Sequence, residues 1–223
     1  MMRFNKILNR RYLSAAAKLF AAVLVLCIVY SGVTQKQIAD SVVRLHIVAN
    51  SNTEEDQELK LRVRDGILEY MREKYPQGAT RDETAQYLRE NLAELEEVAT
   101  RILRENGSDE KVKASYGVFP FPTKEYGNIT LPAGMYEAVR IELGEAEGEN
   151  WWCIMFPPLC VADAQSLKMD EQAMSQLEKE LGPNYRLIAD IAQRNLNIKV
   201  KFRIVELFQK SGIKLAELIS HLF

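Results

Sequence analysis

Two histidines, three cysteines and several runs of adjacent acids are the residues through which this 223-residue chain could do chemistry. A Ser–His–Asp or Cys–His arrangement would have to recruit His46 or His221, the first together with Cys153 or Ser51. His46 lies on the polar side of a strand-like pattern, which favours a surface or packing role over that of a base. The chain has no G-x-S-x-G turn, no H-E-x-x-H and no glycine-rich phosphate loop. Acid pairs such as Glu54-Glu55 and Glu96-Glu97 fall in helical patterns and read as solvated faces, and carboxylates for glycoside chemistry would have to converge in a cleft. Cys153 and Cys160 have too few Cys or His neighbours in sequence for a four-coordinate zinc site. They either bridge across the bend at Pro157-Pro158 or remain two buried thiols, while Cys27 sits in an apolar run. These residues point to no catalytic set, metal or cofactor.

A different group stands out, one suited to recognition. Trp151 and Trp152 are adjacent, so in a strand they point to opposite faces. The Tyr126-Gly127-Asn128 turn and the Phe156-Pro157-Pro158 run are rigid and aromatic, and such surfaces bind with little loss of conformational entropy. The alternative is a sheet core with one ordered loop.

The elements that must position these residues follow from hydrophobic period. Val42–Ala49 alternates and is β-branched, placing Val43, Leu45 and Ile47 on one side and Arg44, His46 and Val48 on the other. Asn50-Ser-Asn-Thr53 breaks the strand, and Glu54–Tyr75 reads as an amphipathic helix along Leu59, Val63, Ile67 and Tyr70. Pro76 and Gly78 end it, Thr80 with Glu83 forms a capping box, and a second helix is predicted from there to about Asn106. Strands follow at Val112–Val118, Met135–Leu143 and Trp151–Phe156, predicted to form an antiparallel meander because their connections are short for parallel crossovers. Residues 170–193 are helical in pattern with a break at Gly182-Pro183, residues 198–204 alternate as a closing strand, and Ile213–Phe223 is amphipathic. The expected class is α+β with a mainly antiparallel sheet: strand, two helices, three-strand meander, helix, final strand and helix. The organisation is 1–40 as leader and connector, 41–165 as the core, and 166–223 as the closing helical segment, strand and helix.

Charge is divided unevenly. Residues 1–40 carry six basic residues and one acid, leaving 23 basic and 30 acidic residues, a net of -7, in 41–223. An acidic body argues against a nucleic-acid partner, since phosphate binding needs cations that displace counterions. Arg3, Lys6, Arg10 and Arg11 precede Leu19–Val33, a charge-free stretch of fifteen residues. As a helix this reaches ~22 Å, the size of a secretory apolar region, with a cleavage position after Ser31. Extended back to Tyr12, with Lys18 snorkelling, it can instead anchor the chain through residues 12–33. Either way the basic flank stays in the cytoplasm and the remainder is exported.

Arg44-Leu-His-Ile-Val-Ala-Asn50-Ser51, with Asp56-Gln57, Leu59-Lys60 and Arg64-Asp65, resembles the amino-terminal signature of the stage II sporulation protein R family. Phe121-Pro-Thr-Lys124, Tyr126-Gly-Asn128, Pro132-Ala-Gly134, Tyr136-Glu-Ala138 and Asn150-Trp-Trp-Cys153 to Phe156-Pro-Pro-Leu-Cys160 resemble its second signature. The resemblance spans roughly 42–162. It implies a protein without catalytic residues, made in the forespore and sent into the space between the forespore and mother-cell membranes. There such proteins activate a membrane-embedded aspartic protease of the mother cell, which processes the precursor of sigma factor E. On that reading the positions carried over as candidate partner contacts are Asn50, Ser51, Asp56, Gln57, Tyr126, Gly127, Asn128, Trp151, Trp152, Phe156, Pro157 and Pro158. An exported cell-wall hydrolase and a membrane-held structural module are the alternatives from other classes.

Overall fold

The computed structural model describes residues 2–75, 78–127, 129–160 and 171–193. The expectations for Asn128, the strand at 198–204 and the helix at 213–223 lie outside them. In chain order the elements are α1 (Met2–Asp40), β1 (Val43–Val48), α2 (Glu54–Lys74), α3 (Arg81–Glu90), α4 (Leu92–Glu105) and β2 (Val112–Phe121). They continue with β3 (Lys124–Tyr126), β4 (Ile129–Leu131), β5 (Gly134–Leu143), β6 (Asn150–Phe156), α5 (Glu171–Leu181) and α6 (Tyr185–Gln193). The class is α+β, with a mostly antiparallel sheet behind an apolar amino-terminal helix.

The four-stranded sheet has the order β2-β5-β1-β6, and β3 pairs only with β4 in a separate hairpin. The meander prediction is therefore corrected. β2 and β5 are antiparallel neighbours, with Tyr116 opposite Val139, but β1 lies between β5 and β6. It runs parallel to β5, with Leu45 opposite Val139, and antiparallel to β6, with Leu45 opposite Cys153. The physical reason is that a short β5–β6 connection forbids a parallel pair between those two strands but not the insertion of an earlier strand. The loop has only to step across the end of β1, about two strand spacings of ~4.8 Å. The single parallel pair is joined by the long chain from α2 to β4, which supplies the crossover.

The predicted second helix is also divided. Asn91 sits between α3 and α4 at φ -109°, ψ 22°, and its side-chain amide donates to the Tyr87 carbonyl at 2.7 Å. An Asn side chain that bonds the preceding turn competes with the helical ladder. The capping box at the start of α3 forms, with the Thr80 N–H donating to Glu83 Oε2 at 2.7 Å.

Two apolar layers flank the sheet. On one face Val43, Leu45 and Ile47 of β1 pack with Val63 and Ile67 of α2, Leu88 of α3 and Leu95 and Leu103 of α4. On the other, Tyr136 and Ile154 pack with Ile129 and Leu131 of the hairpin and with Leu177 and Ile188 of α5 and α6. Each fully buried Leu or Ile contributes about 1.5–3 kcal/mol. The end of α1 joins this second layer through Ile38 and Ala39, both buried, whereas Tyr12 to Tyr30 stand exposed. The run from Tyr12 to Asp40 is long and apolar enough to cross a membrane.

Candidate functional site

β1 is central and covered on both sides, so the polar members of its alternation have nowhere wet to go. All six of its residues are buried, Arg44 at 0% exposure and His46 at 6%. Their placement inside the protein overturns a surface position for His46 and creates a polar cluster within the second layer.

Arg44 is wrapped by aromatic faces. Its guanidinium carbon lies 4.0 Å from the Phe121 ring centre, 4.8 Å from Tyr136 and 5.7 Å from Tyr126, and it donates to the Tyr126 hydroxyl. Among the described residues no carboxylate pairs with it, and its Nε and Nη1 have no partner. Burial lowers its affinity for its proton, and burial likewise raises the Tyr126 and Tyr136 phenols. Next along the strand, His46 stacks on Trp152 with ring centres 3.8 Å apart and meets Phe121 edge-on at 5.8 Å. Its Nε2 bonds Asn150 Oδ1, and its Nδ1 is buried without a partner. Burial first, then the Arg140 and Arg44 charges, push the imidazole down to about 4 against the opposing Asn150 bond. His46 is therefore neutral near pH 7. Arg140, directly across from it on β5, has its Nη2 on Glu142 at 2.9 Å, while its Nε is buried without a partner.

The candidate residues named from the sequence fall into three places. Tyr126 and Trp152 come together on this cluster: Tyr126 through Arg44, and Trp152 through Phe121, whose ring centre is 4.6 Å away. Gly127 stands exposed at the hairpin tip at φ 51°. Trp151 faces the opposite side of β6, with Arg64 over its ring at 4.4 Å. Phe156 is core, at 1% exposure, and is followed by a cis peptide to buried Pro157 and then exposed Pro158. Cys153 is also on the opposite face and is bonded to Cys160, with Cα atoms 5.5 Å apart, so it does not face His46.

Asn50, Ser51, Asp56 and Gln57 form a knot that holds the β5–β6 loop. The Asn50 carbonyl accepts from the Glu147 N–H at 3.0 Å, its Oδ1 from the Glu145 N–H at 2.9 Å, and its Nδ2 donates to Asp56 Oδ2 at 3.0 Å. Gln57 Nε2 donates to the Ser51 carbonyl at 2.8 Å. Lys60, buried, donates to Gln57 Oε1 at 2.5 Å and to the Glu149 carbonyl at 3.0 Å. These hydrogen bonds account for the four residues by the loop crossing over β1.

Sequence reasoning missed Arg44, Phe121, Tyr136 and Arg140 as a unit. The available signal was an Arg-x-His alternation inside a β-branched strand together with the three aromatics of β2, Tyr116, Phe119 and Phe121. Among the described residues no three His, Cys, Asp or Glu side chains gather to hold a metal ion. The arrangement is an aromatic-walled cationic patch, whose chemistry is that of attracting and orienting a negative group.

A family model described as stage II sporulation protein R matches residues 39–166. The stage II sporulation protein R of Bacillus subtilis (strain 168) is 32% identical over 180 residues, covering 76% of this chain and 80% of that protein. No solved structure matches.

Proposed function

The chain belongs to the stage II sporulation protein R family, and from this membership we propose that it is an intercompartmental signal rather than an enzyme. It is made in the forespore, passes into the space between the two membranes, and activates a membrane-embedded aspartic protease of the mother cell. That protease then processes the precursor of sigma factor E. The observation that carries this reading is the family match over residues 39–166, together with 32% identity over 180 residues to the Bacillus subtilis protein. It is supported by a basic leader and an apolar helix, long enough to cross a membrane, that run into a folded, net-acidic domain. The aromatic, preorganised cluster on the second face of the sheet supports a role in contact rather than turnover, since its imidazole hydrogen-bonds an amide.

Export is the property to test in the sporulating cell. A chain lacking residues 2–33, confined to the forespore cytoplasm, is expected to fold and to leave the precursor of sigma factor E unprocessed. Fusing a cleavable secretion signal to the same chain restores processing. Normal processing by the confined form would overturn the reading.

A further inference from the structure

Eight buried side-chain polar atoms lack a hydrogen-bond partner among the described residues, and four of them belong to Arg44, His46 and Arg140. Buried donors are nearly always satisfied, so such a concentration requires an explanation. All three residues lie on one face of the sheet, with His46 directly opposite Arg140 and Arg44 two positions away along β1. Three of the four atoms are guanidinium N–H donors. Glu142 already engages the other end of Arg140 at 2.9 Å.

We propose that this patch is a docking site for a carboxylate-bearing peptide segment of the partner protein. Arg140 is the contacting cation: its side chain is 32% exposed, so it can turn toward a ligand, whereas Arg44 is sealed and acts through its field. Half-buried Phe119, whose ring centre is 5.7 Å from the Arg140 guanidinium, and half-buried Trp152, stacked on His46 opposite Arg140, lie on the same face and supply apolar walls for a neighbouring side chain. An acidic occupant fits best: Arg44 has no carboxylate partner among the described residues and Arg140 keeps an unbonded Nε–H, so the local field favours a negative segment and repels a basic one. Arginine beside aromatic surface is also the pairing enriched at binding hot spots.

This inference rests on the reading of the protein as a ligand for another protein, and its test is a binding measurement independent of proteolysis. The full chain in detergent micelles, labelled with 15N, is titrated with acetyl-Gly-Glu-Phe-Glu-Gly-amide and with the same peptide carrying Gln for Glu. The expected result is movement of the Arg140 Nε–H and Trp152 indole signals with the Glu peptide. The Gln peptide should bind about tenfold more weakly or less well still. Arg140→Gln should remain folded and lose the response. Equal responses to both peptides, no response to either, or an undiminished response in Arg140→Gln would overturn the site. Inorganic phosphate alone reproducing the full shift would also overturn it, because the site would then read charge without a peptide. If the Glu peptide binds as expected while the wild-type chain fails to trigger the protease, the site stands and the proposed function falls.

Discussion

Arg44 carries a charge into the protein where no described carboxylate meets it. Removing a guanidinium from water costs several kcal/mol, and three aromatic faces with one phenol return only part of that. Arg44→Met is therefore expected to be neutral or to raise the unfolding midpoint, as replacement of buried charges by matching apolar groups often does. A clear loss of stability in calorimetry would show that the aromatic cage fully compensates the charge. Tyr126→Phe removes the one hydrogen bond that Arg44 makes among the described residues and is expected to cost about 1–3 kcal/mol, which denaturant titration would measure. His46 gives a pH signature with a definite sign. Its folded pKa near 4 lies below the ordinary 6.5, so the unfolded chain binds the proton more readily between those values. Stability from this residue is fully present above pH 6.5 and drains away as pH falls toward 4. The total is on the order of 3 kcal/mol, with Arg44 on its own strand and Arg140 on β5 opposing the charge. His46→Phe should flatten the stability profile between pH 7 and 4.5; an unchanged slope would assign the acid sensitivity elsewhere. The alternation of β1 was legible in its residues, but its double burial was not. A period of two fixes which side chains share a face without showing that α1, α5, α6 and the hairpin cover the second one.

The β5–β6 loop is the element on which the connectivity turns. It carries Gly148, where an added Cβ would overlap the Ser51 carbonyl, so backbone would have to move. Gly134 also lacks room, but there the obstacle is the end of the Gln35 side chain, which can swing aside. Gly148→Ala is expected to cost about 1–3 kcal/mol and Gly134→Ala less, in paired unfolding measurements. Equal costs would mean that the loop can shift freely over β1. The disulfide fastens the end of β6 with a sequence separation of only 7, and closing so short a loop is worth about 2–3 kcal/mol through the unfolded chain. Alkylation of exported protein without reductant should leave Cys153 and Cys160 unlabelled, and labelling of both would contradict the pairing. Element type was readable at β1, β2, β5 and α2 because each has a clear period, and at β6 from a short apolar run bounded by turns. Strand order was not, because the contacts that accompany it join residues far apart in sequence, such as Asn50 with Glu145 and Glu147.

At the scale of the whole molecule, the apolar leader and residues 34–40 form one continuous helix whose last turn is part of the domain's fold. Ile38 and Ala39 fill the second layer, Gln37 Oε1 accepts from Asn184 Nδ2 at 3.1 Å, and the Ser41 hydroxyl reaches the Glu180 carbonyl at 3.4 Å. An exported chain that begins at Gly32 should therefore keep its stability. One that begins at Ser41 should lose at least the ~2–5 kcal/mol associated with deleting a buried Ile side chain. Equal melting curves would separate α1 from the domain. This packing could not be read from residues 34–41, whose mixed polarity looks like a connector until α5 and β5 are in place. What the folded domain is proposed to do to another protein is tested most directly by reconstitution. In a non-sporulating host that makes the mother-cell aspartic protease and the precursor of sigma factor E, the processed fraction is measured with and without this chain. The account predicts processing that appears when the chain is exported, is absent when residues 2–33 are deleted, and falls in Arg140→Gln. A precursor that stays intact beside the exported wild-type chain, or is cut equally well without it, would contradict the account.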